Sequence, residues 1–110
     1  MEWHDDQVFR LRKEPIVVDV SNVAYYPDLK APDVNNIDSM FWTVKKSNHV
    51  IGIVDWSTVD NLFPYKEYFW ERYLEERGFI AMGYAEPLVI ERAQHYDCKI
   101  ISNDHLRNSA

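Results

Sequence analysis

Cysteine, basic excess and long apolar runs are all scarce in this chain of 110 residues, and each scarcity removes a class of protein. The single cysteine, Cys98, leaves no internal disulfide, so a small stapled scaffold is excluded and a reducing, cytoplasmic compartment is expected. Eighteen acidic against twelve basic residues give a formal net charge of −6 and a pI near 5.1. That sign is wrong for a protein that grips phosphate through a broad basic patch. A nucleic-acid partner therefore requires cations in the site, or a local focus of the few Lys and Arg. No run reaches the roughly 18 apolar residues of a membrane span, and no charged-then-apolar leader opens the chain. Internal repeats and low-complexity tracts are missing too. What is present, 46% apolar residues with 15% aromatic, is enough for the modest core of one small domain.

The stretch "MEWHDDQVFRLRKE" (1–14) is charged and without periodicity, and reads as an arm leading into a domain over 15–110. "PIVVDV" (15–20) is a first strand, a short continuous apolar run of the kind covered on both sheet faces. The prolines, aspartates and asparagines of "YYPDLKAPDVNN" mark a loop. Ile37, Met40, Phe41 and Val44 then fall at i, i+3, i+4, i+7, which predicts an amphipathic helix over 34–48. "HVIGIVD" (49–55) is a second apolar strand that also ends in an aspartate. Pro64 and Gly78 bracket a further helix, with the usual asymmetry of start and stop. "FIAM" is a short strand, "AEPLVIERAQHYD" a helix with Pro87 in its first turn, and "CKIIS" a last strand. A helix opening at Asp104 has barely one turn before Ala110, as if the chain were cut short there. Strands alternating with helices predict an α/β sandwich with a mostly parallel sheet, strand one central and "HVIGIVD" beside it.

Ligands of open parallel sheets bind beyond the carboxyl ends of the strands. Asp19 ends strand one, and Asp104 follows "CKIIS". Glu86 opens the helix before that strand. A helix over 86–96 covers roughly 16 Å at about 1.5 Å per residue, and a strand over 98–102 returns roughly the same distance. Glu86 and Asp104 are thus expected at one level, on the same sheet edge as Asp19. Three carboxylates without a cation repel one another, and such a set is tolerated where a hard cation such as Mg²⁺ or Mn²⁺ sits between them. Each acid alone also has an ordinary role, Asp as an N-cap and Glu as a first-turn partner of the helix dipole. Asp55 also ends a strand and reads as a simple loop acid in preference to an outer member of the site.

The segments "IVVDVSNVA" and "AEPLVIERAQHYDCKIISNDHLRN" resemble the PIN-like ribonucleases, most closely the NYN branch that includes the CCCH-zinc-finger endoribonucleases. That family carries a strand ending in D-G-S-N-V-A, a helix entered through one or two acids, and a strand leading into S-N-D followed by an arginine. The likeness runs over about residues 15–110 and is sharpest at its two ends. It implies a three-layer α/β sandwich around a central, mostly parallel sheet. By position, Asp19, Glu86 and Asp104 look like the catalytic, metal-binding acids. Asn22 looks like the polar residue that orients Asp19, while Ser21, Ser102 and Asn103 shape the turns. Three departures stand out: Val20 replaces the common glycine, Ala85 stands where the zinc-finger members have a further aspartate, and Asn108 replaces an acid that often follows the arginine. The zinc finger and the family's final strand and helix are absent from this sequence.

Other marked residues read more simply. The aromatics of "YKEYFWERYL" suit core packing or a homodimer face better than base stacking. Cys98 has no partner at zinc or catalytic spacing and reads as a small core residue, and the four histidines form no zinc pattern. Arg107 and Lys99 are the cations expected near the site, with Arg107 the candidate for substrate phosphate. The resemblance thus implies a Mg²⁺- or Mn²⁺-dependent endoribonuclease acting on single-stranded RNA. A haloacid-dehalogenase-like phosphatase fits less well, because Ser21 stands where its second acid belongs. The alternative is a catalytically weak PIN-like domain that binds RNA or a protein partner.

Overall fold

A computed structural model describes residues 13–102. Its centre is a four-stranded sheet in the order β3-β2-β1-β4, in which every pairing is parallel. Strand β1 (Glu14–Asp19) runs in register with β2 (Asn48–Asp55), Val18 facing Gly52 and Asp19 facing Ile53. Strand β4 (Ile100–Ile101) pairs with β1 on its other side, and β3 (Ile80–Met82) pairs with β2. Strand one is central and β2 lies beside it, as the apolar runs predict.

The continuous apolar character of β1 and β2 has a direct cause. Val17 and Ile53 enter one buried cluster, with Ala85, Val89 and Ala93, while their chain neighbours Val18 and Val54 enter another. Successive strand residues point to opposite faces, so a sheet covered on both sides needs apolar residues at every position. The larger cluster gathers Ile37, Phe41, Phe69, Tyr73 and Phe79. The smaller is closed by the helix that begins at Glu86.

The first helix, α1 (Val20–Ala24), starts directly after β1, so Val20 is helical rather than the last residue of the strand. Its fully buried side chain packs in the larger cluster, and a helical backbone makes no demand for glycine there. Helix α2 (Val34–Val44) is capped by Asp33, whose carboxylate accepts from the Asn35 N–H. It stops short of the predicted residue 48 because Asn48 already pairs with Glu14 in the sheet. Helix α3 (Trp56–Asp60) follows β2 at once. Over the predicted 64–77 helix, α4 (Lys66–Phe69) runs without a break into a π-helical segment, Trp70–Glu75, closed by an i+5 bond from the Glu76 N–H to the Glu71 carbonyl. Gly78, at φ +69°, ends it in the left-handed region. Phe69 and Tyr73 are buried, and the Tyr73 hydroxyl donates to Asp38 on α2. Helix α5 (Glu86–Tyr96) ends at Asp97 in the left-handed conformation and leads to β4. Among the described residues, no helix is long and apolar enough to cross a membrane.

Candidate acidic site

Three strand-to-helix junctions meet at the carboxyl edge of the sheet. At the first, β1 stops on Asp19, which then caps α1: its Oδ1 accepts from the Asn22 N–H at 3.3 Å and its Oδ2 from the Asn22 side-chain amide at 2.8 Å. Asn22 thus orients both oxygens of the carboxylate. Asp19 is only 7% exposed. Two residues after Asp19, the buried Ser21 Oγ accepts from the Asp55 N–H at 2.9 Å and from the Thr58 hydroxyl at 3.0 Å. That oxygen ties the β1–α1 junction to the β2–α3 junction.

The second junction carries Asp55, the last residue of β2. Its side chain does not cap α3. Instead Oδ1 accepts from the Ala85 N–H at 2.6 Å, at the start of α5. Asp55 is therefore no loop acid, contrary to the reading from sequence. It holds the third junction to the second, and its carboxylate lies near Asp19. The pattern held a signal for its position, though not for its bond to Ala85: two parallel neighbours that both end in aspartate place both acids on one edge.

Glu86 opens α5 at the third junction, and its Oε2 accepts from the Tyr84 hydroxyl at 3.1 Å. Tyr84, largely exposed, had no signal in the sequence beyond standing two residues before Glu86. Ala85 is 1% exposed and faces the core against Val17, Ile53 and Val89.

Burial is the largest influence on Asp19 and pushes its carboxyl up to about 6, against the opposing Asn22 N–H, while the Asp55 and Glu86 carboxylates push it further. The Tyr84 hydroxyl is also raised, first by its hydrogen bond to Glu86 and then by the negative charge of Glu86, with Asp55 and Asp19 adding to it. Three acids shape one field, with no ion pair joining them to a Lys or Arg among the described residues.

Of the residues singled out from sequence, Asp19, Ser21, Asn22 and Glu86 lie at this edge. Ser102 is buried immediately after β4, level with Asp19 by the Val18–Ile101 register. Asn103, Asp104 and Arg107 lie outside the described residues. Lys99 does not join the site: its carbonyl accepts from the Val17 N–H, and with Glu14 and Pro15 it lines a recess at the opposite, amino edge.

The donor chemistry suits a hard divalent cation, since all three side chains are carboxylates and Asp55 Oδ2 and Glu86 Oε1 accept no hydrogen bond among the described residues. The spacing is looser than a ligand set. No three His, Cys, Asp or Glu side chains among the described residues come close enough to share an ion. No known protein family matches the chain, and neither does any characterised protein or solved structure.

Proposed function

We propose that this chain is a PIN-like nuclease domain of the NYN type, a three-layer α/β domain that hydrolyses phosphodiester bonds of single-stranded RNA endonucleolytically with Mg²⁺ or Mn²⁺. The observation that carries the reading is the meeting of Asp19, Asp55 and Glu86 at the carboxyl edge of a parallel sheet, where such sheets bind their ligands. Two buried clusters, fed by alternate residues of β1 and β2, support the layered arrangement.

In this reading Asp19, Glu86 and Asp104 are the metal-binding acids, and Asp55 joins them as an outer member. When bound, a divalent ion lowers the pKa of a water and offsets charge on the phosphate. The chain's own contribution is orientation. Asn22 fixes the Asp19 carboxylate, the Ala85 N–H fixes Asp55, and Tyr84 restrains Glu86. Ser21 keeps the first two junctions together. Arg107 contacts substrate phosphate.

Cleavage of an end-labelled single-stranded RNA in Mn²⁺, Mg²⁺ or chelator tests this, with wild type beside Asp19→Asn, Glu86→Gln and Asp104→Asn. Wild type should cleave only with metal. Each variant should lose about a hundredfold or more, as expected for loss of a group that positions the reacting charge. Cleavage in chelator, or undiminished cleavage by all three variants, rejects the reading. One observation favours a second reading, a PIN-like module that binds RNA or protein without cutting: the described acids are too far apart to share an ion. That module would retain RNA at equal affinity in Mn²⁺ and in chelator, and would leave it intact.

A further inference from the structure

At the amino ends of β1 and β2, the edge opposite the acids, lies a cleft of about 340 Å³. Lys13, Lys45, His49 and Arg77 line it, and Glu76 is the one acid among the described lining residues. A chain with 18 acidic and 12 basic residues has here placed three of its Lys and Arg around one recess. The local sign is the reverse of the whole chain's.

Among the described residues, these cations are held by contacts that leave their charge unanswered. The Arg77 guanidinium lies over the Phe41 ring, 4.9 Å from its centroid. The Lys45 ammonium is 5.9 Å from the same centroid and 4.5 Å from that of Trp42. Lys13 donates to the Lys45 carbonyl at 2.6 Å. Two ion pairs form among the described residues, Lys66–Asp60 and Arg92–Glu91, and neither involves the cleft. Glu76 therefore answers none of the three cations directly. Aromatic faces and a carbonyl restrain the long side chains, so less conformational freedom remains to be lost when an anion arrives.

We infer that this cleft is a binding site for a small phosphate-bearing anion. An arginine fork beside two lysine ammonium groups matches the oxygens of a phosphate. The volume lies near the lower end of the range for small-molecule sites, about 300–1,000 Å³, which suits one compact ligand rather than a nucleic-acid track. Strand β2 spans roughly 25 Å between this edge and Asp55 at about 3.3 Å per residue, so the cleft is separate from the acidic site. The inference stands whether or not the chain cleaves RNA.

Amide NMR titrations of the whole chain with inorganic pyrophosphate and with a nucleoside 5′-monophosphate, each against sodium chloride at equal ionic strength, test it. The expected result is saturable shifts centred on Lys45, Asn48, His49 and Arg77. Tighter binding of pyrophosphate would identify a free polyphosphate as the ligand, and tighter binding of the nucleotide an organic phosphate. Arg77→Gln and Lys45→Gln should each weaken binding about tenfold, while Asp19→Asn should leave it unchanged. Lys45 is partly exposed, so Lys45→Gln serves if removing Arg77 from Phe41 disturbs the fold, which far-UV circular dichroism would reveal. Shifts reproduced by chloride, centred elsewhere, or unchanged in Lys45→Gln overturn the inference.

Discussion

At Asp19, capping and charge pull in opposite directions. The side chain satisfies the start of α1 through Asn22, yet it does so buried and within the field of Asp55 and Glu86. Its carboxyl titrates at about 6 in the fold against 3.8 for an unperturbed aspartate. The folded chain thus binds this proton more tightly than the unfolded chain. The stability linked to it is present below about pH 4 and is lost as pH rises towards 6. At neutral pH the ionised group costs on the order of 2–3 kcal/mol. Asp19→Asn keeps a good capping residue, and rotation of the Asn22 amide restores the paired contact. In chelator at pH 7 the variant should be more stable by about 1–2 kcal/mol, with a flatter profile between pH 4 and 6. Thermal melts across that range check it, and a variant that melts lower at pH 7 would show that capping outweighs charge. Ala85 gives the opposite case. The resemblance suggests that Ala85→Asp adds a metal ligand, but the side chain faces Val17, Ile53 and Val89 in the core. Burying a carboxylate there should destabilise by about 2–4 kcal/mol, with no gain in metal affinity by calorimetry.

Among the elements, β2 was the most legible in sequence and still concealed its most constrained residue. Its apolar run gave both the strand and its covered faces, but nothing in "HVIGIVD" says why a glycine interrupts it. The Phe79 ring fills that space: a Cβ on Gly52 would meet it at 2.4 Å. Because the ring belongs to the main core, Gly52→Ala should cost about 1–3 kcal/mol by overpacking, visible as a lower urea midpoint with the slope unchanged. A midpoint equal to wild type would mean that the ring yields. Similar logic separates what periodicity revealed from what it could not. Apolar spacing located α2 and apolar runs the strands, because burial fixes those positions, while α5 was marked by Pro87 in its first turn. The change to π-helical winding after Phe69 left no mark in the pattern, since it depends on how the turn meets its neighbours in space. Helices α1 and α3 were also missed, being short turns set by tertiary bonds such as Ser21 to Asp55 and Thr58. Asp19 and Glu86 could be placed on one edge by counting rises along strand and helix. The part played by Asp55 could not, because it rests on a bond to the Ala85 N–H across 30 residues.

For the molecule as a whole, charge is divided between the two ends of the sheet, acids at the carboxyl edge and a basic cleft at the amino edge. In the proposed reading a divalent ion at the acidic end relieves the repulsion among its carboxylates, and that reading fixes how stability should respond to Mn²⁺. An ion that binds only the folded chain stabilises it by RT ln(1 + [L]/Kd), about 2.7 kcal/mol at one hundred times Kd. For a domain of this size that is a rise in Tm on the order of 10 °C. The effect must depend on pH in a definite direction. A carboxylate holds the ion only when ionised, and burial keeps Asp19 protonated up to about pH 6, so an ion entering below that value has to displace the proton. The rise in Tm should therefore be small at pH 5 and full at pH 7.5. Asp19→Asn should reduce it at pH 7.5 and remove most of its pH dependence, although the same variant starts from a higher Tm in chelator. Such a crossing cannot come from general screening, which would raise both proteins alike and which sodium chloride at equal ionic strength would reproduce. Melting curves of the two proteins at both pH values, with Mn²⁺, with chelator and with matched salt, measure it. Equal Mn²⁺ responses from wild type and Asp19→Asn at pH 7.5 would remove Asp19 from the metal-binding set.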